Sequence, residues 1–150
     1  MAVRQPEDAI ALLKEDHRRV NELFEQYEST QDPTRQRHIA EQAFTELDRH
    51  AQLEEDIFYL AFEEAADDEG KALVEAFLQE HMLVQQMMAE LLALQGAEFH
   101  RKFQELMEAV RDHVHEEETE MFPEAERILA EDMEDVLTEM QTLQDQLRDA

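Results

Sequence analysis

Glycine and proline are nearly absent from this chain, and their scarcity constrains the fold more than any other feature. Among 150 residues there are two glycines and three prolines, whereas Glu, Leu, Ala and Gln are abundant. The abundant residues are good helix formers, and β-branched residues are few. The composition therefore predicts an all-α protein, and the length fits a single domain, residues 1–150, with a sizeable core.

The few helix breakers separate segments whose apolar residues recur at helical spacing. Pro6 and Pro33 stand at predicted helix starts, Asp32 is a predicted cap, and Pro123 is expected to break or kink its helix. Long helices joined by short loops predict an up-down-up-down four-helix bundle over about 6–130 with an additional C-terminal helix. The predicted helices are about 6–29, 33–67, 71–94 and 97–123, then an extension 124–130 and a last helix 131–148.

The last predicted helix is amphipathic, with Met133, Val136, Met140 and Leu147 on one side. An apolar stripe of this kind needs a partner surface. It therefore either covers one end of the bundle, or pairs with a second copy in a homodimer or with another protein.

The chain is strongly acidic, with a formal charge of −26, and contains no cysteine. Such a surface repels nucleic acid and anionic membranes, so neither is an expected partner. No apolar run approaches the roughly 20 residues of a membrane span, and the N-terminus lacks an apolar signal core, so the expected location is cytoplasmic. Without thiolates, any bound metal must be held by nitrogen and oxygen.

Four histidines repeat in register along the chain. His17 and His81 each follow an acid and precede a valine by three positions; His50 comes 33 residues after His17, and His113 comes 32 residues after His81. Each histidine falls on its own predicted helix. Alone, any of them is readily explained as an interior or surface histidine, but the matched layout of all four favours a metal site in a pseudo-twofold bundle.

Two glutamates complete the candidate site. Glu54 follows His50 by four residues and Glu117 follows His113 by four, so each pair lies on one helix face. Facing carboxylates can bridge two cations, each of which also receives imidazoles. These donors suit iron or manganese, with zinc as a further fit, and would leave open positions on an octahedral ion.

Several other residues are weaker candidates. Glu46 lies one turn before His50 and is either an exposed acid, an acceptor behind the ligands or an extra ligand. Gln85, one turn after His81, could donate a hydrogen bond into the site. Tyr59 could act as a redox or phenolate group, but it lies opposite His50 by helical angle, which favours packing. Glu55 and Glu118 are expected at outer positions.

The remaining histidines and the methionines are interpreted structurally. His38, His100 and His115 are expected at the surface. The methionine stripe is interpreted as core filler rather than as thioether ligands. Its members are Met82, Met87, Met88, Met107 and Met121.

Over about 8–130 these motifs resemble the hemerythrin family, in particular hemerythrin-like domains with a His-His-Glu cation-binding signature. The segments that carry the resemblance are Asp16-His17-x-x-Val20, His50-x-x-x-Glu54-Glu55, Glu80-His81-x-x-Val84 and His113-x-x-x-Glu117-Glu118. The resemblance implies two iron ions joined by an oxo or hydroxo group. The four histidines would be terminal ligands, with Glu54 and Glu117 as bridges.

The resemblance also suggests functions: binding or sensing of dioxygen or nitric oxide, or reaction with peroxide as a catalase- or peroxidase-like enzyme. Oxygen carriers of the family have a second histidine where this chain has Gln85. The difference disfavours simple reversible oxygen carriage and leaves room for a replacement ligand or for peroxide. The alternatives are an iron-handling protein with labile metal and a metal-free helical interaction module.

Overall fold

The computed structural model describes residues 7–149, and within that range the chain is helical with no strand. The α-helices α2 and α5 each continue through a π-helical turn into a short helix, so that two kinked rods join α1 and α4 to form the predicted four-helix bundle. The elements are α1 (Ala9–Ser29), α2 (Pro33–Leu53), the first π turn (Glu54–Phe58), α3 (Tyr59–Ala65), α4 (Asp68–Leu91), α5 (Gly96–Glu116), the second π turn (Glu117–Met121), α6 (Phe122–Ile128) and α7 (Met133–Asp149). We refer to α1 through α3 as the first hairpin and to α4 through α6 as the second.

Local sequence explains most of the helix ends. Aspartate side chains cap α1, α2 and α4 by accepting a backbone N–H in the first turn; the prediction is confirmed for Asp32, whereas the predicted start at Pro6 lies outside the described residues. The structure begins α4 at Asp68, three residues before the predicted start, because Asp67 is the better cap. Pro123 does not break its helix, since it sits in the first turn of α6, where a missing N–H costs little.

The two π turns were not predicted, and they occupy matching places in the two hairpins. The N–H of Tyr59 bonds to the carbonyl of Glu54, and the N–H of Phe122 bonds to that of Glu117, five residues back in each case. Each π turn therefore inserts one residue into the helix, and everything after it is rotated by about 100° relative to an unbroken α-helix. This rotation decides which side chains enter the interior beyond Glu54 and Glu117.

Two apolar clusters fill the bundle and leave a polar band between them. The lower cluster combines the starts of α1 and α4 with α3, α6 and α7, and includes Leu13, Phe58 and Phe77. The upper cluster combines the ends of α1 and α4 with the starts of α2 and α5, and includes Phe24 and Phe103. On each long helix the repeated histidine lies between the residues of the two clusters, so all four histidines share one level of the bundle.

The C-terminal helix α7 packs on its own chain, against α1, α2 and the first π turn. It buries Met133, Val136 and Met140 in the lower cluster. This confirms that its apolar stripe covers part of the bundle. Among the described residues, no helix is long and apolar enough to cross a membrane.

Candidate metal centre

The first half-site is formed by His17 and His50 with one oxygen from each of two glutamates. The Nε2 atoms of the two histidines lie 3.1 Å apart. Glu117 Oε1 lies 3.0 Å from His17 Nε2, and Glu54 Oε2 lies 3.2 Å from His50 Nε2. Two nitrogens bound to one ion at about 2.1 Å, at close to a right angle, would also be about 3 Å apart.

The second half-site uses His81, His113 and the other two oxygens of the same carboxylates. The Nε2 atoms are 3.2 Å apart. Glu54 Oε1 lies 3.1 Å from His81 Nε2, and Glu117 Oε2 lies 3.5 Å from His113 Nε2. Glu54 and Glu117 thus each face both half-sites, and both are fully buried. The structure brings all six predicted site residues together.

Each histidine is oriented by a carboxylate on its outer nitrogen. In all four rings the Nδ1–H donates to an acid, which directs Nε2 towards the interior. The pairs are His50 with Asp16 at 3.0 Å, His113 with Glu80 at 2.6 Å, His81 with Glu55 at 2.9 Å and His17 with Glu118 at 2.7 Å. Glu55 and Glu118 do lie at outer positions. Their contacts, and those of Asp16 and Glu80, were missed, although the acid that precedes both His17 and His81 was a visible repeat.

The charges of the cluster are strongly interdependent. Burial alone would lower the pKa of His113, but its hydrogen bond to Glu117 and the charges of Glu117 and Glu54 raise that pKa from 6.5 to about 9. For His50 burial likewise lowers the pKa, but the charges of Glu54 and Asp16 and the hydrogen bonds to them together raise it well above 6.5. Burial would raise the pKa of Glu54, yet the charge of His50 and the hydrogen bonds to Glu117, His50 and His81 together hold it well below its usual range. The Glu54 carboxylate therefore stays ionised and is stabilised by positive charge beside it.

Two oxygens of the cluster still have no hydrogen-bond donor among the described residues. They are Glu54 Oε2 and Glu117 Oε1, both in the first half-site. Leaving a buried anionic oxygen unpaired is costly, and a cation is the partner that such oxygens lack. In each half-site the donor atoms all lie within 4.8 Å of one another. The residues present therefore fit a pair of metal ions.

Comparison with known proteins agrees with this geometry. Residues 8–125 match the model of the hemerythrin HHE cation-binding domain. The chain belongs to the hemerythrin family. An uncharacterized hemerythrin-like protein of Schizosaccharomyces pombe is 31% identical over 119 residues, which cover 78% of this chain and 59% of that protein. The chain thus spans somewhat more than half the length of this relative. No solved structure gives a significant match.

Tyr59 is the largest departure of this hemerythrin-like site from the sequence prediction. It was interpreted as a packing residue opposite His50, but its buried hydroxyl points into the centre. It donates to Glu54 Oε1 at 3.2 Å and to Glu117 Oε2, and lies 3.3 Å from His81 Nε2. The first π turn is the physical reason, because its extra residue turns Tyr59 towards the ligands.

The weaker candidates lie away from the six residues. Gln85 is exposed and makes no hydrogen bond to them in the described part of the chain, although it borders a cavity beside them. Glu46 lies 3.9 Å from Arg19 and is not part of the cluster. His38, His100 and His115 are exposed, as predicted. Among the methionines the prediction was wrong for Met82, which is 67% exposed.

An apolar cavity of about 40 Å³ adjoins the centre in the hemerythrin-like bundle. All four histidines of the cluster contribute to its wall. The remaining lining is mainly aliphatic and comes from α1, α2, α4 and α5: Val20, Leu47, Ala51, Val84, Met88, Val110 and Val114, with Asp48 and Gln85. A space of this size holds only a very small molecule, since one water occupies about 30 Å³ in the liquid.

Proposed function

We propose that the chain holds two iron ions, one in each half-site, and binds dioxygen or nitric oxide at that centre. The observation that carries the proposal is the pair of buried carboxylates, each shared by two histidine pairs with metal-like spacing and each with an oxygen that lacks a donor. The printed family description, a cation-binding domain, supports the cation. His17, His50, Glu54, His81, His113 and Glu117 would hold the ions.

The donor set supports iron. Each half-site offers two imidazole nitrogens and two carboxylate oxygens, and no sulfur is available in the chain. Two histidines with carboxylate and open positions are the usual arrangement of non-haem iron sites. When bound, iron would supply redox chemistry and vacant coordination positions. The protein supplies orientation, through the four carboxylates on Nδ1, and a dry interior.

We further propose that Tyr59 completes the second half-site. Gln85 stands where oxygen carriers of the family have a fifth histidine, and it does not reach the cluster. The Tyr59 hydroxyl, in contrast, lies beside His81 and both carboxylates. The second half-site would then have five protein donors, and the first would have four. On this proposal the open positions lie mainly in the first half-site.

The cavity defines the class of ligand. Its volume of about 40 Å³ admits a diatomic molecule or peroxide, and its aliphatic wall disfavours anions, which would lose hydration without gaining partners. Small neutral ligands such as dioxygen and nitric oxide are therefore favoured over anions.

A second candidate function is the decomposition of hydrogen peroxide, and Tyr59 is the observation that favours it. Its buried hydroxyl lies beside both carboxylates and His81, where it could hydrogen-bond to a bound peroxide and orient it. Iron handling would use the same ligands with labile metal. In a metal-free module the four imidazoles would have to carry the positive charge that pairs with the two buried carboxylates.

The test is metal analysis and optical spectroscopy of protein produced with iron, before and after exposure to dioxygen, nitric oxide and peroxide. We expect two iron ions per chain and a spectrum that changes on addition of a diatomic ligand and reverts on its removal. Sustained, iron-dependent peroxide consumption would favour the second candidate instead. Carefully purified protein that takes up no metal would overturn both.

A further inference from the structure

The C-terminal helix α7 packs mainly on elements that carry residues of the first half-site. It begins at Met133, beyond residues 8–125 that match the family model. It packs against α1, α2 and the first π turn, which are the elements that supply His17, His50 and Glu54. The helix therefore lies outside the matched residues and packs on the elements that carry His17 and His50.

The region between α7 and the bundle extends to Asp16, the acid that accepts a hydrogen bond from His50. A small cavity of about 30 Å³ is enclosed by Asp16, His50 and Leu53 on the bundle side. On the other side it is bounded by the end of α7, through Gln144, Leu147 and Arg148. The end of α7 and the pair of Asp16 and His50 thus border the same small cavity, together with Arg19, Glu46 and Arg49.

Burial distinguishes Asp16 from its repeat counterpart. The Asp16 side chain is 6% exposed, whereas that of Glu80, which orients His113 in the same way, is 36% exposed. Glu55 and Glu118 are also about one-third exposed, at 32% and 34%. Asp16 is the one of these four acids that water scarcely reaches, and Arg19 also donates to it.

We infer that α7 is a positioning element for the first half-site and that its docking is coupled to metal binding there. This inference rests on the proposed metal centre. With α7 docked, the bond from His50 to Asp16 is shielded from water and fixes the ring with Nε2 inward. With α7 undocked, water competes for Asp16 and the ring gains freedom, which weakens its hold on a cation.

Coupling of this kind is reciprocal. If docking of α7 strengthens metal binding by some factor, metal binding must strengthen docking of α7 by the same factor. Couplings between linked sites are typically about 5- to 150-fold. The stability of α7 docking at the surface would then depend on whether metal occupies the buried centre.

Zinc is a suitable diamagnetic probe, and two methionines give a matched pair of variants in the full chain. Met140→Ala removes a fully buried side chain from α7, and Met107→Ala removes an almost fully buried one from the upper cluster, away from α7. Chelator competition measures the affinity for zinc, and NMR of ¹⁵N-labelled histidines shows which imidazoles lose it. Amide exchange of residues 133–149, with and without zinc, measures docking.

We expect Met140→Ala to weaken the affinity for zinc at His17 and His50 by about fivefold or more. Met107→Ala should leave that affinity unchanged, although it lowers thermal stability by a similar amount. In the unmutated chain, zinc should slow exchange in α7 by the same factor, and leave the turn 92–95 unaffected. Equal weakening by both variants, or unchanged exchange in α7, would overturn the inference while leaving the metal centre intact. Failure of the unmutated chain to bind zinc would overturn the metal centre, and this inference with it.

Discussion

The two hairpins present the same candidate ligands in the same order, but they differ in what surrounds those residues. The position five residues after the shared glutamate is Tyr59 in the first hairpin and Phe122 in the second. The Tyr59 hydroxyl reaches the second half-site, whereas the Phe122 ring stacks on His17 in the first, with the ring centres 5.8 Å apart. Repetition therefore determines where the ligands lie, and the breaks in repetition make the two half-sites chemically different.

A second difference lies outside the ligands. The acid before His17 is a buried aspartate behind α7, and the acid before His81 is a partly exposed glutamate. Glu80 also crowds Glu116, and the negative charge of Glu80 raises the pKa of the Glu116 carboxyl. The first half-site therefore has one buried acid, Asp16, and one partly exposed acid, Glu118, behind its histidines, whereas both acids behind the second half-site are partly exposed.

The largest expected effect on metal binding comes from removing the two carboxylates that both half-sites share. Replacing Glu54 and Glu117 together with Gln takes a charged oxygen from both half-sites. Because loss of a group behind a ligand already costs about 10- to 100-fold in metal affinity, we expect loss of ligands to cost more than about 100-fold. Metal content per chain after dialysis measures this. The control is Glu46→Gln, which removes a nearby acid outside the cluster; equal metal loss there would point to binding by the general acidity of the surface.

The next effect distinguishes the two hairpins. Asp16→Asn and Glu80→Gln each weaken the acceptor that orients one histidine, so we expect losses of metal affinity of about 10- to 100-fold. The loss should be larger for Asp16→Asn, since water can replace the exposed Glu80 carboxylate but not the buried Asp16. Isothermal titration with zinc measures both. The reverse order would mean that the cover provided by α7 has no energetic consequence.

The metal-free protein should lose stability as the pH rises through the range in which the cluster releases protons. The folded-state pKa of His113 is raised from 6.5 to about 9, chiefly because its interactions with Glu117 and Glu54 outweigh burial. A raised histidine pKa stabilises the fold fully below pH 6.5, and the contribution is lost as the pH rises to about 9. Urea unfolding across this range should therefore show a falling free energy of unfolding.

Metal loading should abolish that decline, because metal binding requires deprotonated imidazoles and displaces their protons. His113→Gln should reduce the decline in the metal-free protein, and His115→Gln should not, because His115 is exposed on the same helix. A flat profile in the metal-free protein would contradict the strong interaction between the imidazoles and the buried carboxylates.

Much of the fold and all six ligand candidates could be predicted because they depend on local rules. Helix capping by Asp32 and the four-residue spacing of His50 and Glu54 are visible within one segment. The acceptors behind the histidines were not predictable in the same way. Glu55 reaches His81 and Glu118 reaches His17 across the interface between hairpins, so their partners depend on how the helices are aligned against one another.

Tyr59 was misplaced for a different reason. Helical periodicity assumes an unbroken α-helix, and nine residues at 100° place Tyr59 opposite His50. The π turn adds a residue, and the amino-acid composition of Glu54–Phe58 does not predict such a turn. The turn brings the Tyr59 hydroxyl to two buried carboxylates, and the matching turn in the second hairpin brings Phe122 against His17. The position of Tyr59 therefore depends on the tertiary structure of the site, and local residue spacing does not predict it.

The smallest effect tests this asymmetry most directly. Tyr59→Phe makes the two hairpins alike and removes the donor shared by Glu54 and Glu117, so we expect the metal-free protein to lose about 1–3 kcal/mol of stability. Tyr27→Phe is the matched control. The Tyr27 hydroxyl bonds to the exposed His100, where water can substitute, and its loss should cost less than about 1 kcal/mol.

The same variant should alter the iron-loaded protein differently from the control. If Tyr59 ligates iron as a phenolate, Tyr59→Phe should abolish a visible charge-transfer band, and Tyr27→Phe should retain it. Phe122→Tyr would place a second phenol at the equivalent position, near His17, and should add such a band if the extra oxygen is accommodated. An unchanged spectrum in Tyr59→Phe, together with equal stability losses for the two tyrosines, would mean that the half-sites are chemically equivalent. The open position would then have to be explained by Gln85 alone.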